Sequence, residues 1–337
     1  MAMIRSFLLL CLLASAALAQ TDQRPGPEGQ FGKTITVGVE RPLYFTLKSA
    51  EYRVDRHMVD DYLWAPTEDE KLLVIHFTVQ NPTKKAIDYT AMYPTFEVYD
   101  TENNGYQTLD QPRGIGVGLE DTHHRPKGQL QPAQTIALYA AFRVPNKAVC
   151  AKLIVLPTSA TENVVRYKLE GKVEPLKGPF SDPADATGVT ARPDAPAKLG
   201  DVFPMAWFDA SVIGPREGQA GPPNAAPRGS HWVAYTASVK VVGTRARTVL
   251  LATLPAVVTL ASGTEVKITS LHGLDGWQML NQEVRPDSEL KVRMLFAVPD
   301  GAEVKSLRLR VAGLDNAWKR YSHAAVYDLT PPPAPAP

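Results

Sequence analysis

One ordered set of apolar and turn blocks occurs twice in this chain. The first set runs through Val37-Gly38, Pro42-Leu43-Tyr44-Phe45, Leu72 to Asn81, Tyr93-Pro94 with Phe96, and Leu130-Gln131-Pro132 to Phe142-Arg143-Val144-Pro145. The second runs through Leu199-Gly200, Pro204-Met205-Ala206-Trp207, Trp232 to Val241, Leu254-Pro255 with Val257, and Val284-Arg285-Pro286 to Phe296-Ala297-Val298-Pro299. The separation is 162 positions from Gly38 to Gly200, 161 from Pro94 to Pro255 and 154 from Phe142 to Phe296. Two copies of one fold whose loops differ in length account for this drift.

The period inside the blocks is two. Leu73, Ile75, Phe77 and Val79 alternate with His76, Thr78 and Gln80, the pattern of a strand with one wet face. Ile136, Leu138, Ala140, Phe142 and Val144 repeat it, as do Leu290, Val292, Met294, Phe296 and Val298, with Lys291 and Arg293 expected to point outward. Leu307, Leu309 and Val311 alternate with Arg308 and Arg310. No long stretch has a period of 3.6, and Pro and Gly punctuate the chain at short intervals. The fold class predicted is all-β: two tandem immunoglobulin-like antiparallel β-sandwiches, at 32–174 and 199–329.

Turn chemistry supports that reading. Asn81-Pro82-Thr83-Lys84 closes one strand and opens the next, and Asp100 to Gly105 carries an Asn-Gly suited to positive φ in a hairpin. The matching hairpin of the second copy shrinks to Ala261-Ser262-Gly263-Thr264. Residues 175–198 hold Pro175, Pro179, Pro183, Pro193 and Pro196 with few large apolar residues, and read as a semi-stiff linker. Residues 330–337 read as an extended Pro/Ala tail.

The first nineteen residues read as a signal peptide: Arg5, an apolar run from Phe7 to Leu13, then Ala17-Leu18-Ala19. The run is too short to span a bilayer, and no transmembrane helix is expected elsewhere. Cys11 lies inside that run, and Leu10 stands where a lipoprotein signal needs a small residue. Export to the periplasm or beyond follows. The remaining chain has 35 basic and 35 acidic residues, so the basic field of a nucleic-acid binder is absent. Cys150 is then the sole thiol, and no intramolecular disulfide can form; it reads as a small core residue, with pairing between molecules left open.

The strand with its Asn-Pro turn, the Asp-x-x-x-x-Gly hairpin, and the run from Leu130 and Pro132 to Phe142, Val144 and Pro145 resemble the DUF4352-type immunoglobulin-like sandwich of secreted bacterial proteins. The resemblance covers residues 36–172 best. The second copy, 197–329, lacks the Asn of the turn, having Val241-Val242-Gly243, and lacks the long hairpin. The resemblance implies a sandwich fold and supplies no catalytic residues.

Candidate chemistry is sparse. Asp100, Glu102, Asn104 and Gly105 take the first, third, fifth and sixth places of a calcium loop, but its twelfth is Gln111 and its flanks are strands, so a polar hairpin is the plainer reading. Asp55, Asp60, Asp61, Glu68, Asp69 and Glu70 could hold a cation or be a solvated loop. His123-His124 after Glu120-Asp121 has metal-ligating side chains but no third His nearby. No H-E-x-x-H, G-x-S-x-G, P-loop or dinucleotide motif occurs, so neither enzyme nor cofactor is expected.

Two loops keep a recognition role open. Segments 53–71 and 213–231 occupy the same place in the two copies, where sandwich scaffolds carry binding loops. Trp64, Asp60, Asp61 and Trp277 are the candidate binding residues, set against a reading in which both indoles fold back over the core. The function predicted is a non-enzymatic exported binding or architectural protein with a protein or envelope partner. The alternative is a carbohydrate- or cation-binding accessory module.

Overall fold

The computed structural model describes residues 24–59, 62–90, 94–109, 115–117, 127–157, 159, 161–215, 224–312 and 321–330. The residues read as a signal peptide, Asp60, Asp61, Gln111, the Glu120 to His124 cluster and the tail from 331 lie outside the described residues. The protein is all-β. In chain order the strands are β1 Glu28–Gly29, β2 Ile35–Val37, β3 Leu43–Arg53, β4 His57–Val59, β5 Tyr62–Trp64, β6 Glu70–Gln80 and β7 Ile87–Thr90. There follow β8 Thr95–Asp100, β9 Gly105–Gln107, β10 Ile115–Val117, β11 Lys127–Leu130, β12 Thr135–Pro145, β13 Cys150–Leu156 and β14 Val165–Lys168. The later strands are β15 Asp194–Ala197, β16 Phe203–Met205, β17 Phe208–Pro215, β18 Ser230–Val241, β19 Arg247–Leu250 and β20 Ala256–Leu260. The last are β21 Glu265–Lys267, β22 Ser270–Gly273, β23 Asn281–Val284, β24 Glu289–Pro299, β25 Val304–Leu309 and β26 Ala324–Asp328.

The chain divides into two compact units. Unit 1 is Met1–Tyr52 with Leu72–Pro175, and unit 2 is Arg53–Lys71 with Leu176–Pro337. In unit 1 a sheet of order β1-β14-β13-β8-β9 faces one of order β10-β12-β6-β3-β2. Their inner aromatics meet: the Phe77 and Phe96 rings lie 4.9 Å apart and Phe45 lies 5.9 Å from Tyr167. Unit 2 has sheets of order β15-β26-β25-β20-β21 and β16-β17-β18-β24-β22, which share one buried cluster containing Val239, Met294, Phe296, Leu307 and Tyr327. Strand for strand the two orders match, down to a parallel edge pair, β1 with β14 and β15 with β26.

The alternating strands face as their patterns require, with exceptions that packing explains. Leu73, Ile75, Phe77 and Val79 are buried, but so are Leu72 and Val74 on the other face, where Leu109, Tyr139 and Ala141 cover them. Arg293, expected outward, is only 1% exposed. In the Asp100 to Gly105 hairpin it is Asn103, not Gly105, that takes the positive φ, 65°.

Two blocks of the sequence alignment shift. Pro204 and Met205 lie in β16, the counterpart of β2, whereas Pro42 precedes β3 and Leu43 opens it. The β2–β3 connection needs 38–42 where β16 and β17 need only 206–207, and this difference displaces the block. Further on, Phe96 pairs Val155 and Ala256 pairs Leu309, so inward Phe96 corresponds to Ala256 rather than to half-buried Val257.

The span 175–198 read as a linker packs almost wholly within unit 2. Leu176, Phe180, Ala191, Ala195 and Ala197 are buried, and β15 lies parallel to β26. Its apolar content is small alanines with only Leu176, Phe180 and Val189 beside them, which leaves little signal in a Pro-rich composition.

Candidate functional site

Segment 53–71, read as a recognition loop, is the first surprise, because it supplies part of the core of unit 2. Ala65 is buried in that core, with Val54 and Leu63 packed against it. Trp64 sits on the small β4–β5 hairpin, half-buried, and its indole N–H has no hydrogen-bond partner among the described residues. The described carboxylates of the segment have partners close by in the fold. Asp55 pairs with Arg53, Glu68 with Arg310, and Thr67 donates to Asp69 and Glu70. Arg56 pairs with Asp209, Glu68 N–H donates to the Tyr321 carbonyl, and buried Lys71 donates to that of Val189 at 2.5 Å.

His323 completes this anchorage. Its ring nitrogens lie 2.9 Å from the Arg192 carbonyl oxygen and 2.6 Å from that of Glu70. Burial lowers its pKa and outweighs the two carbonyls and the Glu68 charge, which raise it; Arg310 adds to the lowering.

Trp277 is likewise occupied. The Arg293 guanidinium stacks 4.1 Å from its ring centroid and donates to the Gly276 and Leu274 carbonyls, and His272 meets the indole edge-on at 5.5 Å. Sequence reasoning missed Arg293 because period two placed it outside. At Asp100, burial opposes the charge, but hydrogen bonds from Asn104, Tyr106 and Glu102 outweigh it and hold the carboxyl below its usual range. Those donors fill the oxygens a cation would need. Cys150 is buried, and its N–H donates to the Tyr52 hydroxyl at 2.8 Å. Among the described residues no three His, Cys, Asp or Glu side chains converge as a metal site.

The site that stands out was not foreseen. A groove of about 570 Å³ in unit 1 is lined by residues 28–31, by Ala151 and Lys152, and by Arg166, Tyr167, Lys168 and Lys172. It holds four cations against one carboxylate, in a chain whose charge is otherwise balanced. Register builds it: Leu153 and Tyr167 face inward as partners on β13 and β14, so the next pair, Lys152 and Lys168, faces outward side by side. The turn after β14, with Gly171 at φ +70°, brings Lys172 over Phe31, 5.6 Å from the ring centroid.

Beneath lies Tyr167, fully buried, its hydroxyl without a hydrogen-bond partner among the described residues. Burial raises its pKa, so the hydroxyl keeps its proton and remains a donor. Gly29 is required above it: a Cβ there would stand 2.3 Å from the Tyr167 ring carbon that bears the hydroxyl. In unit 2 the register partner of Tyr327 is Ala197, and the Tyr327 hydroxyl donates to the Asp201 carbonyl at 3.1 Å. A second depression, of about 320 Å³ in unit 2, sets Lys240 and Lys291 against Asp209 and Glu289, and its charges cancel.

No protein family matches the sequence. No curated protein matches it either. Solved structures do. An uncharacterized β-sandwich protein from Clostridium difficile 630 aligns over 44% of this chain and 97% of its own length, at 14% identity and a TM-score of 0.33. The yjhA protein from Bacillus subtilis aligns over 41% and 99%, at 15% identity and a TM-score of 0.27. A conserved hypothetical protein from Bacillus anthracis aligns over 40% and 94%, at 12% identity and a TM-score of 0.27.

Proposed function

We propose that this protein is exported and acts without catalysis, as a binding or architectural component made of two immunoglobulin-like sandwiches in tandem, working in the periplasm or outside the cell. Its recognition surface is the cationic groove of unit 1, not the connecting loops. One observation carries this reading: Lys152, Arg166, Lys168 and Lys172 line a single groove that holds one carboxylate, Glu28.

Of the loop candidates, the described ones are engaged within their own unit, while Asp60, Asp61 and residues 216–223 lie outside the described residues. Segment 53–71 is built into the core of unit 2, and Trp277 is stacked on Arg293. A cation-binding role finds its Asp100 oxygens already filled by donors. The test is retention from a native envelope extract by immobilised protein. Capture that is lost when Lys152 and Lys168 are both replaced, but kept when Trp64 or Trp277 is replaced, supports the groove. The opposite pattern returns recognition to the loops.

A further inference from the structure

We infer that Asn104, on the β8–β9 hairpin of unit 1, is a site of spontaneous deamidation through a ring closed by the Gly105 nitrogen, and that Asp100 sets the rate. The modification is independent of the groove and of the function proposed above.

The reaction needs only water and base. The Gly105 N–H gives up its proton to base, and the nitrogen attacks Cγ of Asn104. The new N–Cγ bond forms as the Cγ–Nδ2 bond breaks, and Nδ2 takes up a proton and leaves as ammonia. Water then adds to either carbonyl of the succinimide ring and opens it, to aspartate or to isoaspartate.

Register frees the nucleophile. The Asp100 N–H donates to the Asn104 carbonyl at 3.1 Å, so these two face each other as a hydrogen-bonded pair. The next pair, Tyr99 with Gly105, is then of the non-hydrogen-bonded kind, and its N–H groups point away from the partner strand. β9 is the last strand of its sheet, so the Gly105 N–H points to the side on which that sheet has no further strand among the described residues. Both Asn104 and Gly105 are exposed, and glycine brings no Cβ to crowd the closing ring.

The turn itself does not demand Asn104. In unit 2 the matching hairpin makes the same bonds: the Leu260 N–H donates to the Thr264 carbonyl at 2.9 Å and the Gly263 N–H to that of Leu260 at 2.8 Å, as the Asn103 N–H does to that of Asp100 at 3.1 Å. Gly263 takes the positive φ there, 83°, where Asn103 takes 65°. At the place of Asn104 stands Thr264, which has no amide to lose. Gly105 has a packing reason, since a Cβ would stand 3.2 Å from the Tyr99 ring, and this keeps glycine next to Asn104.

Asp100 holds the reaction back. Its Oδ2 accepts from Asn104 Nδ2 at 2.9 Å and its Oδ1 from the Asn104 N–H at 2.8 Å. Nδ2 is the leaving group, so the ring closes only after the amide turns away from the carboxylate. Breaking a hydrogen bond to a charged group slows that step about tenfold. The product reverses the contact, because a carboxylate oxygen then faces Asp100 where Nδ2 had donated.

The test is peptide-mapping mass spectrometry of the full-length protein during incubation at pH 6 and at pH 8, beside a synthetic peptide of residues 97–108 as the untethered reference. We expect conversion at Asn104 ahead of every other Asn, faster at pH 8, and about tenfold slower than in the peptide. Asp100→Ser should speed it about tenfold, and Asp100→Asn, which keeps the shape of the cap and removes its charge, severalfold. Tyr106→Phe removes a different donor to Asp100 and should leave the rate unchanged. Melting curves establish that each variant is folded, and Asp100→Asn serves if Asp100→Ser is not.

Asn104 still intact in the protein and in both Asp100 variants, when the peptide has fully converted, overturns the site. Protein and peptide converting at one rate overturn the role of Asp100. Acceleration by Tyr106→Phe equal to that of the Asp100 variants assigns the protection to the hairpin as a whole and overturns the tether.

Discussion

In unit 1 the outward pair across β13 and β14 is Lys152 with Lys168; in unit 2 the same register sets Ser306 against Asp328. One residue inward the two units agree, Leu153 with Tyr167 and Leu307 with Tyr327. A matching backbone and matching inner faces thus carry two different outer chemistries, one gathering cations and the other cancelling them. The inner face answers to packing, where volume and shape are held tightly, while the outer face is left to whatever meets it. A second contrast is architectural. The connection between β3 and β6 lends residues 53–71 to unit 2, and unit 2 is built from two separated stretches of chain.

The sharpest way to break the comparison is to express the stretches separately. Residues 176–337 alone lack Ala65, Leu63 and Val54 from their core and leave Arg310 and His323 without their partners on segment 53–71. We expect a loss above about 5 kcal/mol, read as failure to show a cooperative urea transition. Residues 24–175 with a short Gly/Ser loop in place of 53–71 should keep one. Two equally stable fragments would make the units independent and the segment an ornament.

Next in size, Phe142→Ala and Phe296→Ala should each cost about 3–5 kcal/mol, because both rings are fully buried at matching places on β12 and β24. Denaturant titration that found one costly and the other cheap would show that the two cores are not packed alike. Gly29→Ala should cost about 1–3 kcal/mol, because its Cβ meets the Tyr167 ring at 2.3 Å. Unit 2 already has Ala197 at the matching place, so Ala197→Gly should relieve nothing.

Acidification should separate the units more mildly. The folded pKa of His323 is lowered, so its contribution is complete above the unfolded value of about 6.5 and fades as pH falls below it. Unit 2 should melt earlier at pH 5.5 than at 7.5, and His323→Asn should flatten that slope; an unchanged slope would mean another group sets it. Smallest of all, Lys152→Ser with Lys168→Asp should stabilise unit 1 by about 0.2–1 kcal/mol as the facing charges are relieved.

How far the sequence could be read depended on how each residue advertises its surroundings. Strands such as β12 and β24 carry large apolar residues at every second place, and a strand pattern of that kind needs no partner to be recognised. Among its described residues segment 53–71 offers the core cluster Ala65, Leu63 and Val54 amid many charges, so it reads as wet loop until Arg310 and His323, far along the chain, are seen to hold it. Arg293 follows the outward beat of β24 and is nevertheless buried, because Trp277 closes over it. The groove needs two facts no single stretch contains: that β13 and β14 pair, and that Lys152 falls opposite Lys168.

The anchorage of segment 53–71 also sets an order in time. Glu70 meets His323 across 253 positions and Glu68 meets Arg310 across 242, so a chain emerging from its N-terminus makes this segment long before its seat exists. Closing such distant pairs is slow, and apolar residues wait exposed meanwhile. Unit 2 can close only when the β26 end of the chain has arrived, so a product cut short leaves Ala65 and Leu63 uncovered. Closure of unit 2 therefore reports that the β26 stretch has been made, and a cell that degrades exposed apolar segments would remove copies cut short before it without any dedicated recognition signal.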